Sequence, residues 1–296
     1  MTTAPPDGGS GGGPTALRML LGTHLRKLRE MRGVSREAAA WEIRASESKI
    51  SRMELGRVSF KERDVADLLT LYGVANEDER ATLLSLAREA NTRGWWHRYG
   101  DVLSSWFQSY LGLEAASALI RTYEVQFIPG LLQTRDYARA VILLGHGSAK
   151  TDEIERRVDL RIARQQLVTQ PEPPQLWVVV DEATLRRPIG GPDVMRAQLE
   201  ALIEVTKLPN VRLQVIPFEA GGHAAAGGAF TILRFREPDL PDVVYLEQLT
   251  SALYLDKRED VDAYAEAMER LAIEADPPSR TAETIGGILR DLGLRG

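Results

Sequence analysis

Between Leu17 and Asn91, glycines and short polar breaks cut the chain into five helical segments, none long enough to be stable alone. Leu17, Leu20, Leu21, Leu25, Leu28 and Met31 recur at helical spacing, and the pattern stops at Gly33. Ser35 can cap a second helix that ends at Ile43. Three residues, Arg44 to Ser46, separate it from a third helix within "ASESKISRMELGR", residues 45–57, which Gly56 closes. Val65, Leu68, Leu69 and Tyr72 place a fourth helix on 61–72, and a Leu- and Ala-rich fifth covers 77–91. Five such helices can be stable only around one shared core. The expectation is therefore an all-α domain over 15–92, preceded by a Gly/Pro/Ser-rich disordered arm, 1–14, that has nothing to bury.

A second domain is expected over 93–296. Helical patterns fall at 104–122, 134–144 and 151–169, and "PEPPQ" at 171–175 ends helical structure. "LWVVV", "VRLQVIPF", "AFTILRF" and "VVYLEQL" then read as four strands. A helix from Pro192 to Lys207 joins the first two, which makes them parallel. The later strands are close enough for hairpins, with the Gly-rich "AGGHAAAGGAF" as a mobile hairpin loop. Helices at 257–275 and 281–293 complete an α+β domain with a mixed sheet of about four strands.

The chain has 296 residues and a formal charge of −5, unevenly spread. Residues 15–75 hold twelve Lys/Arg against eight Asp/Glu, while residues 76–296 carry a net −8. A basic first module on an acidic body suits an anionic partner for that module alone. No apolar run approaches the length of a membrane helix and the amino terminus has no secretory pattern, so a cytoplasmic protein without membrane contact is expected. Cysteine is absent, which excludes disulfides and thiolate metal sites.

In the third helix Ile50 and Met53 form a narrow apolar stripe among Ser46, Glu47, Ser48, Lys49, Ser51 and Arg52. Two short helices joined by a tight turn, the second showing small polar and basic groups outward, suit a helix-turn-helix. There the stripe anchors the second helix and the outer face enters the DNA major groove. The competing reading is an ordinary amphipathic surface helix.

Residues 19–73, and "SREAAAWEIRASESKISRMELGR" above all, resemble the helix-turn-helix of the XRE (Cro/C1-type) repressor family. Ser35, Ala39, Ala40, Ile43, Ile50, Ser51, Arg52, Glu54 and Gly56 match its pattern. The resemblance implies double-stranded DNA as partner, with Glu47, Ser48 and Arg52 at base edges and Arg36, Ser46 and Lys49 at phosphates. It also implies that Arg29 and Glu54 tie the first helix to the recognition helix. Arg44 stands where the family has Gly, and a non-Gly residue in a left-handed turn costs about 1 kcal/mol. Either the turn differs here, or Arg44 gains a phosphate.

The remainder resembles a narrower group, the XRE regulators of streptomycetes and related actinobacteria that carry an antitoxin-like carboxy-terminal domain. "RGWWHRYGD", "FIPGLLQTRDYARAV", "RRVDLRIARQQLV", "VVVDEATLRRPIGG" and "LQVIPFEAGGHAAAGGAFTILRF" carry that likeness. It implies a transcriptional regulator with a small acidic partner protein. Pairing as a homodimer is expected because one helix reads only a short site, and a small-molecule effector is the other expected input. The alternative the resemblance leaves open is an antitoxin-like module that sequesters its partner and binds DNA only for autoregulation.

Catalytic chemistry finds little support. His97, His146 and His223 are far apart and lack metal-ligand spacing, so neither a metal nor a cofactor is expected. Asp181 and Glu182 read as a strand-end cap in preference to an acid pair. Trp95, Trp96, Tyr99, Trp106, Phe107 and Tyr110 read first as a hydrophobic junction between the domains. Their second reading, with His223, is a surface for an effector or partner. Arg156, Arg157, Arg161 and Arg164 read as a solvated, ion-paired helix face.

Overall fold

The computed structural model describes residues 14–225, 227–236 and 240–293. The chain divides into two compact units, one of residues 14–95 with Arg236 and Leu240, the other of 96–235 and 241–293. Of the arm expected over 1–14, residues 1–13 lie outside the described residues. Pro14 opens the first helix instead, a position where its missing N–H costs nothing.

The first unit contains α1 (Pro14–Met31), α2 (Arg36–Glu42), α3 (Glu47–Glu54), α4 (Glu62–Leu71) and α5 (Glu77–Ala90). Leu21, Leu25, Ala39, Ala40, Ile43, Ile50, Met53, Val65, Leu68 and Leu69 from its first four helices close one core. Ser35 and Ser46 cap α2 and α3, their hydroxyls accepting from the Ala38 and Lys49 amides at 3.1 and 3.2 Å.

The second unit begins beside a 3-10 turn at Trp95–Tyr99 that spans the division. It continues as α6 (Ser105–Ala116), β1 (Ser117–Glu124), α7 (Arg135–His146), α8 (Thr151–Arg164), α9 (Gln166–Thr169) and β2 (Gln175–Asp181). Then come α10 (Glu182–Arg186), α11 (Pro192–Val205), β3 (Val211–Ile216), β4 (Phe230–Phe235), β5 (Val243–Glu247), β6 (Ala252–Leu255), α12 (Arg258–Glu274) and α13 (Thr281–Asp291). The sheet has six strands, in the order β3-β2-β1-β4-β5-β6. β3, β2 and β1 are parallel, and the other pairs are antiparallel.

Six strands in place of four is the main correction. The helix expected over 104–122 stops at Ala116, and "SALIRTYE" runs on as β1 between β2 and β4. Its Ile120, Thr122 and Tyr123 are buried, so packing on both faces overrides the helical propensity of the flanking Leu and Ala. β6 is four residues long and only partly buried, too weak a pattern to read. The Gly-rich segment is no hairpin loop, because β2 and β1 lie between β3 and β4. The helix expected over 151–169 breaks at Gln165 into α8 and α9.

One face of the sheet packs under α12, with Tyr123, Val179, Ile216, Ile232 and Val244 against Met268 and Leu271. α6 lies against β1 and β4.

Candidate nucleic-acid interface

Everything that orients α3 is local. α2 ends in a Schellman turn, with the Ala45 amide on the Ala40 carbonyl at 2.8 Å and the Arg44 amide on Trp41 at 3.1 Å. Arg44 takes φ +51°, the one non-Gly residue with positive φ among those described. The left-handed turn of the resembled family is therefore kept, with arginine in glycine's place.

α1 holds α3 by close backbone approach. A Cβ on Gly22 would lie 2.7 Å from the Glu54 carbonyl oxygen, and one on Gly56 2.6 Å from the Met19 Cα. Arg29 of α1 donates Nε to Glu54 Oε1 at 2.5 Å and Nη1 to the Val34 carbonyl at 2.9 Å. Arg29 and Glu54 are both buried, and the Glu54 bond is the largest influence raising the Arg29 pKa. The α1–α3 tie implied by the resemblance is present.

These restraints leave Ser46, Glu47, Ser48 and Arg52 exposed on α3, opposite buried Ile50 and Met53. Among the described residues Arg52 donates only to the Ser48 carbonyl of its own helix, at 3.3 Å. The other two residues assigned to phosphates are engaged elsewhere. Arg36 donates Nε to Glu54 Oε2 at 3.1 Å, and Lys49 donates Nζ to buried Asp64 at 2.6 Å. Asp64 was not singled out in the sequence, since nothing marks a carboxylate on α4 as the partner of a lysine fifteen residues earlier. Arg44, by contrast, is exposed, and among the described residues its side chain has no hydrogen bond or ion pair.

The residues expected at an effector or partner surface do not form one site. Trp96 is buried and Trp95 half-buried in the 3-10 turn. Trp106 and Phe107 on α6 join a cluster in which Phe107 stacks on Tyr110, Tyr110 meets Tyr245, and the Tyr254 hydroxyl donates to the Trp106 carbonyl at 2.5 Å. His223 lies elsewhere, its Nε2 2.9 Å from the Tyr123 hydroxyl and 3.6 Å from Asp181 Oδ2. Asp181 caps α10 through its other oxygen, and buried Glu182 pairs with Arg186 and accepts from the Phe218 amide. That accounts for both carboxylates structurally.

Arg156 and Arg157 keep the solvated, ion-paired face expected of α8, paired with Asp101 and Glu153 at 2.7 and 2.8 Å, but the other two arginines turn inward. Arg164 grips buried Glu114 at 2.5 and 2.7 Å and lies 5.2 Å from the Tyr110 ring centre. Arg161 donates to Gln133 at 2.9 Å, and burial pulls its pKa down to about 10. Arg161 thereby fastens the "FIPGLLQT" loop, and Arg164 lies against it, since a Cβ on Gly130 would meet Arg164 at 3.1 Å. Helical spacing gave the ion-pair pattern but not which arginines turn inward. Near them, burial and then Glu247 push the Glu124 carboxyl up to about 8.

Among the described residues no group of His, Cys, Asp and Glu could hold a metal ion, and no helix is long and apolar enough to cross a membrane. A family model described as a helix-turn-helix domain matches residues 20–83, which spans α2, the turn and α3 and supports a DNA-binding regulator. No curated protein and no solved structure matches the chain. A second family model matches residues 107–287, more than half of the chain, and the chain thereby belongs to the family described as domain of unknown function DUF5753.

Proposed function

We propose that the protein is a sequence-specific transcriptional regulator of the XRE (Cro/C1) type, with α3 as its recognition helix. The observation that carries this is the division of α3 into a buried Ile50/Met53 edge and an exposed Ser46, Glu47, Ser48 and Arg52 edge, on a helix held to α1 through Gly22 and Glu54. Ser48 and Arg52 read base edges, and Glu47 accepts from a cytosine amino group. Arg44 supplies a phosphate contact, which offsets its left-handed backbone. Arg36 and Lys49 brace the domain, and their charges are already met by Glu54 and Asp64.

One recognition helix reads a short site, so regulators of this kind act as two-fold pairs on paired half-sites. The DUF5753 unit supplies the pairing and the regulatory input, from a small molecule or a partner protein. A ligand that prefers one arrangement of the pair shifts DNA affinity by that preference alone.

Sequencing of the DNA fragments retained by the full-length protein from a random pool tests this. A shared two-fold motif is the expected result. Retention without any common sequence contradicts the reading.

A further inference from the structure

On the sheet face under α12, the strand register sets charged and aromatic side chains in rows. Arg212 of β3 stands opposite Trp177 of β2, and Trp177 opposite Arg121 of β1. One row toward the start of β1, Leu119 lies between Gln175 and Arg234 of β4. A cleft of about 360 Å³ opens here, lined by Leu119, Gln175, Trp177, Pro209, Arg212 and Pro278 among others. Its volume is in the range that takes a small ligand. The Arg212 guanidinium lies 4.9 Å from the Trp177 ring centre.

Arg121 and Arg234 do not line the cleft but stand beside its Trp177 and Leu119 on the adjoining strands, and the charges there are not balanced. Arg121 is 6% exposed, and its Nε and Nη2 have no hydrogen-bond partner among the described residues. Its nearest carboxylate, Asp242, stands 3.8 Å from Nη2, beyond hydrogen-bond reach. Asp242 is held by Arg234 instead, through contacts of 2.9, 3.0 and 3.1 Å. Two guanidiniums compete for one carboxylate, and the exposed one has it. Burial is the first cause lowering the Arg121 pKa, and neighbouring Arg234 the second, with Asp242 and Glu269 opposing. A buried cation paired this poorly is costly unless a further partner completes the set.

We propose that this cleft binds a small planar organic anion, with its carboxylate or phosphate at Arg234 and its flat body across Leu119 to Trp177. Arg212 closes the far end. The anion takes Arg234 from Asp242, Asp242 turns to Arg121, and the buried guanidinium gains its hydrogen bonds. Part of the binding energy thus comes from a pairing completed inside the protein. The proposal gives the effector input a ligand class. It depends on the regulatory reading only for its consequence, because the site and its test involve no DNA.

The test is titration calorimetry on the full-length protein with naphthalene-2-carboxylate and phenyl phosphate, and with naphthalene-2-carboxamide as the neutral control. Saturable binding of at least one anion and none of the amide is expected, with Arg234→Gln weakening the anion roughly tenfold or more. Arg234 is 53% exposed, and its loss frees Asp242 for Arg121, so the variant should melt no lower than the parent. Silence with both anions, equal binding of the amide, or an unchanged affinity in Arg234→Gln would overturn the proposal. A lower melting temperature in the variant would overturn the competition for Asp242.

Discussion

Arg36 on α2 donates to the same Glu54 carboxylate that Arg29 holds from α1, so one buried acid fastens α3 to both helices before it. Glu54→Ala should therefore cost about 3–5 kcal/mol, since it leaves Arg29 buried and unpaired. Arg36→Ala, at a side chain 38% exposed, should cost less than about 1 kcal/mol. Chemical denaturation of the two variants checks the ordering, and similar losses in both would show that Glu54 is not the shared anchor.

The α1–α3 packing makes a second prediction. Gly22→Ala drives a methyl into the Met53 and Glu54 carbonyls and should destabilise by about 2 kcal/mol or more, because backbone cannot step aside. Gly145→Ala on α7 meets nothing within 4 Å and should stabilise by about 0.5–1 kcal/mol. Thermal melts of both variants read the contrast.

Arg44 separates backbone strain from contact. Arg44→Gly removes a left-handed non-glycine residue and should stabilise the protein by about 1 kcal/mol. The same change should weaken DNA binding and reduce the salt slope by about one phosphate contact. A variant that is more stable and binds DNA unchanged would leave Arg44 with no role at the backbone.

The helical spacing of the first unit is legible because its short helices each show a single buried stripe, and Ser35 and Gly56 mark helix ends, whereas the cap that Ser46 makes on α3 goes unread. The partners of its charges are not legible. Lys49 and Asp64 meet only after α4 packs against the others, so Lys49 read as a free cation. In the second unit β1 was hidden because it is buried on both faces and loses the polar alternation that marks a strand. Arg161 and Arg164 show the same limit, since spacing places them on a helix but only the fold decides that this side faces Glu114 and Gln133.

Glu124 makes stability depend on pH. Burial raises its folded pKa to about 8 from 4.5, with Glu247 adding to the rise and Arg164 and Arg161 opposing it. The Tyr137 hydroxyl also lies within the influence of this carboxyl. The folded state holds a proton that the unfolded state releases, so this contribution is complete below about pH 4.5 and is lost as pH rises through about 8. Melting temperature should fall across that window, and Glu124→Gln should flatten the fall. An identical slope in the variant would mean that another group sets it.

The central claim is that α3 reads DNA sequence through its exposed edge. Its most direct test is the affinity of the full-length protein and of Arg52→Ala for the selected operator and for single-base variants of it, at fixed salt. The account predicts that Arg52→Ala loses about 1–3 kcal/mol on the operator and becomes indifferent to the base at one position, while its binding to unrelated DNA changes little. Equal affinity and unaltered base preference in Arg52→Ala would contradict it.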